Sequence, residues 1–200
     1  MRRFQAQFDC GVSRRSWLRG MCAAAASSWI GRSALGARQV VVNRQQELNL
    51  KGVYLYSFCK FVSWPDAAFT GPEAPLVIAV FGSKDLTATL QNVAMKRTAN
   101  GRKLEVTQLA KPDDPASYHV LVVTAEVKPD EQSKLIKRLQ GTAVLVVTES
   151  AEMGNQGAHI NFFLDGATVK FEINVPAAQA CKLRIDPQLT ALKVARLLGA

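Results

Sequence analysis

Few residues in this chain could do chemistry, and their spacing limits what that chemistry could be. It holds two histidines, His119 and His159, and four cysteines, Cys10, Cys22, Cys59 and Cys181. There is no glycine-rich dinucleotide fingerprint, P-loop, helical histidine pair, nucleophile elbow or Cys-x-x-Cys. That pattern favours binding over catalysis, and no metal or other cofactor is implied. His119 opens an apolar run and reads as structural. His159 falls opposite Glu172 if the flanking strands form a hairpin, and cross-strand pairing accounts for it. Neither histidine has neighbours that complete a metal site. A hydrolase pairing Ser83 with either histidine is a remaining catalytic reading, to be decided by distance.

Two kinds of binding residue stand out. Phe81-Gly82-Ser83-Lys84 lies between an apolar run and a helical pattern, where open α/β sheets commonly bind small ligands. The same residues suit a tight turn with Ser83 as a helix cap. Arg184, beside a short C-terminal helix, is the third pocket candidate with Gly82 and Ser83, or an exposed charge between helices. The partner-surface candidates are Trp64 and the mixed set Asn161, Phe163, Lys170 and Glu172. Trp64 stands at a helix end before Pro65, where an aromatic either seals the core or anchors a partner. The other four share the second face of an alternating hairpin, to be met by solvent, a partner or a covering helix.

The elements that must position these residues follow from periodicity. Leu48, Leu50, Val53, Leu55, Phe58, Phe61 and Val62 recur at three- and four-residue spacing, predicting a helix over 47–62 that stops at Trp64-Pro65. Short apolar runs at 76–81, 119–123 and 143–147 predict strands covered on both faces, with helical patterns between them. Leu104 to Leu109 alternates and predicts a strand with one less buried face. Strand, helix and strand in succession imply right-handed crossovers and a largely parallel sheet flanked by helices on both faces. Ile160, Phe162 and Leu164, then Val169, Phe171, Ile173 and Val175, alternate about Asp165-Gly166. This predicts an antiparallel hairpin turning at Asp165-Gly166, with Phe162 opposite Val169 and Ile160 opposite Phe171. Pro176 and Pro187 each open a short helix, the second carrying Leu189, Leu192, Val194, Leu197 and Leu198.

Charge and the N-terminus suggest where the protein works. The 200 residues carry a formal charge of +9, yet 1–36 hold six arginines against Asp9 alone. Five of the nine charges therefore lie there, which argues against a nucleic-acid partner. Ser13-Arg14-Arg15-Ser16-Trp17-Leu18-Arg19, followed by a weakly apolar run from Met21 to Ile30, resembles a twin-arginine export signal. Ala34-Leu35-Gly36 suits cleavage after Gly36 or close by. The expected organisation is a cleaved signal over 1–36, a flexible stretch over 37–46 and one α/β domain over 47–200. Cys59 and Cys181 would then be the remaining cysteines, as buried thiols in preference to a disulfide.

Longer strings carry a resemblance. Lys60-Phe61-Val62-Ser63-Trp64-Pro65, the run 76–82, Tyr118-His119-Val120-Leu121, Gly157-Ala158-His159-Ile160-Asn161-Phe162, residues 169–174 and Leu183-Arg184-Ile185-Asp186-Pro187-Gln188-Leu189 resemble the YfiR-like family. The resemblance covers roughly 47–198. It implies a periplasmic regulatory protein that binds and represses the periplasmic sensor part of an inner-membrane diguanylate cyclase, lowering cyclic di-GMP signalling. It further implies an outer-membrane OmpA-like lipoprotein that relieves repression, and a homodimer in some members. Disulfide-linked redox control in the family lacks its cysteines here, since Tyr118 and the approach 153–157 contain none. The alternative is a periplasmic small-ligand-binding domain without a cyclase partner.

Overall fold

The computed structural model describes residues 43–112 and 114–199. The expected export signal, with Arg14 and Arg15, lies outside them. The first helix, α1 (Arg44–Phe61), starts three residues before the expected Glu47 because Asn43 caps it, its side chain accepting the Gln45 amide at 3.0 Å. A two-residue strand β1 (Val62–Ser63) follows, then a single 3₁₀ turn at Asp66–Ala68. Next come β2 (Leu76–Phe81), α2 (Lys84–Ala94), β3 (Thr98–Ala99), β4 (Arg102–Leu109), β5 (Val120–Val123), α3 (Pro129–Leu139) and β6 (Leu145–Thr148). The chain closes with β7 (Ile160–Asp165), β8 (Thr168–Asn174), α4 (Val175–Ala180), β9 (Arg184–Ile185), α5 (Pro187–Thr190) and β10 (Ala195–Leu198).

Eight strands form one sheet in the order β10-β8-β7-β6-β5-β2-β4-β3, while β1 and β9 pair separately as an antiparallel ribbon. Strands β4, β2, β5, β6 and β7 run parallel, and the β7–β8 hairpin is antiparallel. The parallel, helix-flanked sheet with its C-terminal hairpin is the architecture that the apolar runs imply. One face buries Leu55 and Phe58 of α1, Leu86 and Leu90 of α2, Ala178 and Leu189 against Ile78, Val80, Val122, Val147, Phe162 and Phe171. On the other face Leu135, Ile136 and Leu139 of α3 cover Ala79, Leu121, Val123 and Val146. Covering on both faces explains why β5 and β6 are apolar at nearly every position.

Two expectations about the C-terminal part need correction. The hairpin turns at Gly166-Ala167, so Phe162 pairs with Phe171, Ile160 with Ile173 and Asp165 with Thr168. Gly166 has φ +60°, the positive value that a tight hairpin turn demands of its first central residue. A slip of two residues keeps every side chain on its face, so alternation alone cannot separate the two registers. Glu172 consequently faces Asn161, and His159 lies just before β7. The second correction concerns 191–198. The helix expected to run from Pro187 through Leu198 ends at Thr190, and Ala195–Leu198 instead forms β10, pairing parallel with β8 from Ala195↔Phe171 to Leu198↔Asn174. Without β10 the ladder groups of β8 would form an unpaired sheet edge, and satisfying them outweighs the helical spacing of the leucines.

Candidate functional site

Strand order reverses at β2, which has β4 on one side and β5 on the other. A cleft of about 250 Å³ opens beyond the C-terminal ends of β2, β5 and β6 at this switch point. Gly82 makes the turn out of β2 at φ +112°, and a Cβ there would sit 2.1 Å from Thr124 Oγ1. Only glycine fits both the backbone angle and the gap. The Ser83 amide donates to Thr124 Oγ1 at 3.1 Å, and Ser83 Oγ accepts from the Leu86 amide at 3.5 Å, capping α2. Ser83 thus lines the cleft and caps a helix at once.

Charges from α1 complete the lining. Lys51 is buried, with Nζ 2.7 Å from Glu47 Oε1 and 3.2 Å from Glu149 Oε1. Glu149 Oε2 accepts from the Ala125 amide at 3.4 Å, whereas its Oε1 completes no hydrogen bond and meets Lys51 as a charge contact alone. On the rim Arg44 pairs with Asp85 at 3.0 Å and reaches Glu126 at 3.7 Å. The arrangement can hold a small polar ligand, and the lysine ties α1 to the end of β6.

The hairpin face has a different construction. Asn161 Oδ1 accepts from Thr148 Oγ1 at 2.7 Å and Asn161 Nδ2 donates to Glu172 Oε2 at 3.2 Å. Glu172 also pairs with Arg196 of β10, so Asn161 and Glu172 are buried in a polar ladder across β6, β7, β8 and β10. Phe163 and Lys170 remain partly accessible. Arg196 lies 4.7 Å over the Phe163 ring, and Lys170 pairs with Asp165. The side-chain hydrogen bond to Lys170 holds the Asp165 carboxyl below its usual range, with the charge of Lys170 acting the same way. Asp165 is exposed, so this pair adds little stability.

At the opposite end of the parallel strands, Trp64 packs half-buried against the main core and donates Nε1–H to the His119 carbonyl at 3.2 Å. The His119 ring accepts the Val77 amide on Nδ1 at 3.1 Å, and its Nε2 meets the Ala68 carbonyl at 3.0 Å. His159 repeats the device, accepting the Val146 amide on Nδ1 at 2.9 Å. Burial lowers the pKa of both rings, that of His159 to about 4. For His119 the Ala68 bond opposes the depression and Arg102 adds to it. Its place level with Val77 puts His119 about 20 Å from Ser83 along β2 at ~3.3 Å per residue. His159 stands level with Val146, three strands from β2, with its ring nitrogen engaged. The geometry brings neither to Ser83.

Arg184 does not join Gly82 and Ser83. It lies exposed on β9, paired with Ser63, and lines a separate depression with Ile185, Asp186 and Pro187. Cys59 and Cys181 are both buried and free, and burial pushes the Cys59 thiol up to about 12. Among the described residues no group of three His, Cys, Asp or Glu side chains could hold a metal ion.

The family model described as YfiR/HmsC-like matches residues 48–196, nearly all of the described fold. The chain belongs to the YfiR/HmsC-like family. No curated protein sequence matches it. In this YfiR/HmsC-like chain the cleft residues Arg44, Lys51, Glu126 and Glu149 escape a reading of the sequence. Only Glu47 and Lys51 leave a signal, the i, i+4 spacing of opposite charges on a helix. Arg196 escapes as well, because a helical assignment of 187–198 removes it from the sheet.

Proposed function

We propose that this chain is a periplasmic regulatory protein that binds the periplasmic sensor part of an inner-membrane diguanylate cyclase and represses it. Binding lowers cyclic di-GMP output. The observation that carries this reading is the family match across 48–196. The N-terminal Arg14-Arg15 pattern supports export, and no described helix is long and apolar enough to cross a membrane. The partner surface runs over Phe163 and Lys170, with Asn161 and Glu172 fixing their strands from beneath and Trp64 stabilising the fold. An outer-membrane OmpA-like lipoprotein relieves the repression, and the chain can act as a homodimer.

Deleting the gene and measuring cellular cyclic di-GMP tests the role. A rise reversed by wild-type protein is expected, and an unchanged level overturns the reading. Within it, Phe163→Ala and Lys170→Glu should weaken capture of the cyclase sensor domain without lowering thermal stability. The switch-point cleft favours one second reading, a small-ligand-binding domain without a cyclase partner. Under that reading deletion leaves cyclic di-GMP unchanged, while the protein still binds a small polar molecule through Ser83.

A further inference from the structure

Residues 66–74 cross the N-terminal ends of the parallel strands as a strap with little regular structure of its own. Beyond the 3₁₀ turn at Asp66–Ala68, side chains from the sheet hold it. His119 Nε2 meets the Ala68 carbonyl at 3.0 Å, so this nitrogen carries the proton and donates. His119 Nδ1 must then be the bare acceptor, and it takes the Val77 amide at 3.1 Å. Phe69 of the strap stacks on the His119 ring with centroids 4.4 Å apart and planes 19° apart. Arg102 closes the stack from outside, its guanidinium 3.7 Å over the Phe69 ring, and donates to the carbonyls of Gly71 at 2.9 Å and Ala74 at 2.7 Å. The strap is therefore held by His119 and Arg102 together with the packing of Phe69 against the core, and of these only His119 can change its protonation near neutral pH.

We propose that His119 is an acid-released latch: gaining a proton on Nδ1 sets it against the Val77 amide and frees the strap 66–74 from the sheet. The added proton converts the acceptor into a donor facing a donor, so the Val77 bond is lost. Nε2 keeps donating to the Ala68 carbonyl, which favours the charged ring, but burial of the charge, with Arg102 across Phe69, outweighs it while the strap is closed. Among the described residues no acidic side chain lines the depression around the ring, whose walls are Ala67, Phe69, Pro115, Tyr118, Thr142 and Val144 among others. The imidazolium thus gains no compensating carboxylate from the described lining. Freeing the strap removes one wall of this depression of about 400 Å³ and loosens the Trp64 contact with the His119 carbonyl. The sign follows from the depressed ring pKa. With the strap closed the ring resists its proton, and with the strap open it titrates near the ordinary ~6.5. Closure is complete above that value and weakens as the pH falls through it toward the lowered one. His159 supplies the internal contrast, with the same Nδ1 acceptor geometry inside the core and no strap attached. The latch stands apart from the cyclase reading, since it needs no partner.

The full chain holds only these two histidines, so imidazole and amide NMR between pH 7.5 and 5 can follow each separately. At neutral pH His119 should show the proton on Nε2. As it titrates, amide protection at Val77 and through 66–74 should fall roughly tenfold beyond the intrinsic pH effect, the scale of one lost hydrogen bond. His119→Asn, which keeps an acceptor near Nδ1 and cannot titrate, should abolish that acid-dependent loss while the rest of the sheet stays protected. Two results overturn the latch: His119 taking its proton with protection at Val77 and 66–74 unchanged, or the same acid loss in His119→Asn. If His119→Asn does not fold, the comparison moves to His159→Asn, which must leave the acid loss at 66–74 intact.

Discussion

The two ends of strands β2, β5 and β6 lie on the same rigid sheet yet are closed by opposite chemistry. Beyond their C-terminal ends, Lys51, Glu47 and Glu149 join α1 to the sheet through full charges around Gly82 and Ser83. At their N-terminal ends, Trp64, Phe69 and the neutral rings of His119 and His159 close the sheet through stacking and backbone hydrogen bonds. One edge answers to salt and charge removal, the other to protons. The lesson is that a parallel sheet places its backbone groups alike at each end, while side chains from distant segments decide what each end senses.

The harshest way to break the charged edge is through its backbone. Gly82→Ala forces a Cβ onto Thr124 and a side chain onto a positive φ, and should cost ~4 kcal/mol in urea unfolding. A loss under 1 kcal/mol would mean that the turn relaxes freely. Lys51→Met strands Glu149 beside Glu47 and should cost ~3–4 kcal/mol. Adding Glu149→Leu should recover much of that, and a double-mutant cycle with zero coupling would show that the pair does not hold α1.

Acid probes the other edge. With its pKa near 4, His159 leaves the unfolded chain to take up the proton first as the pH drops below 6.5. Its contribution is complete above ~6.5 and should decline by about 3 kcal/mol on reaching pH 4. The stability difference between wild type and His159→Asn, measured at both pH values, reads this directly. Trp64→Ala removes a half-buried aromatic and its bond to His119, at an expected ~2–3 kcal/mol. Unchanged stability with lost cyclase capture would instead make Trp64 an anchor for the partner. The smallest effect belongs to the rim: Arg44→Ala should cost no more than ~0.5 kcal/mol and vanish in 0.5 M salt, because Arg44 and Asp85 are largely exposed.

The local sequence determined the main helices and strands up to residue 180, the parallel sheet and the apolar face of the hairpin, but not the two-residue strands β1, β3 and β9. Periodicity and proline placement act within a few residues, and each stretch carries its own signal. It also exposed the strings that align the chain with its family. Tertiary structure alone decided three things. The hairpin register turned on which residue adopts positive φ at Gly166, because slips of two residues present the same faces. The C-terminal leucines became β10 because β8 had an edge to cover, a demand invisible from within 187–198. The cleft and the strap were likewise undetermined, since Lys51 meets Glu149 and Phe69 meets His119 only after the sheet has brought distant segments together. Charge pairing and ring stacking act through space over a few ångströms, and no spacing along the chain encodes that proximity.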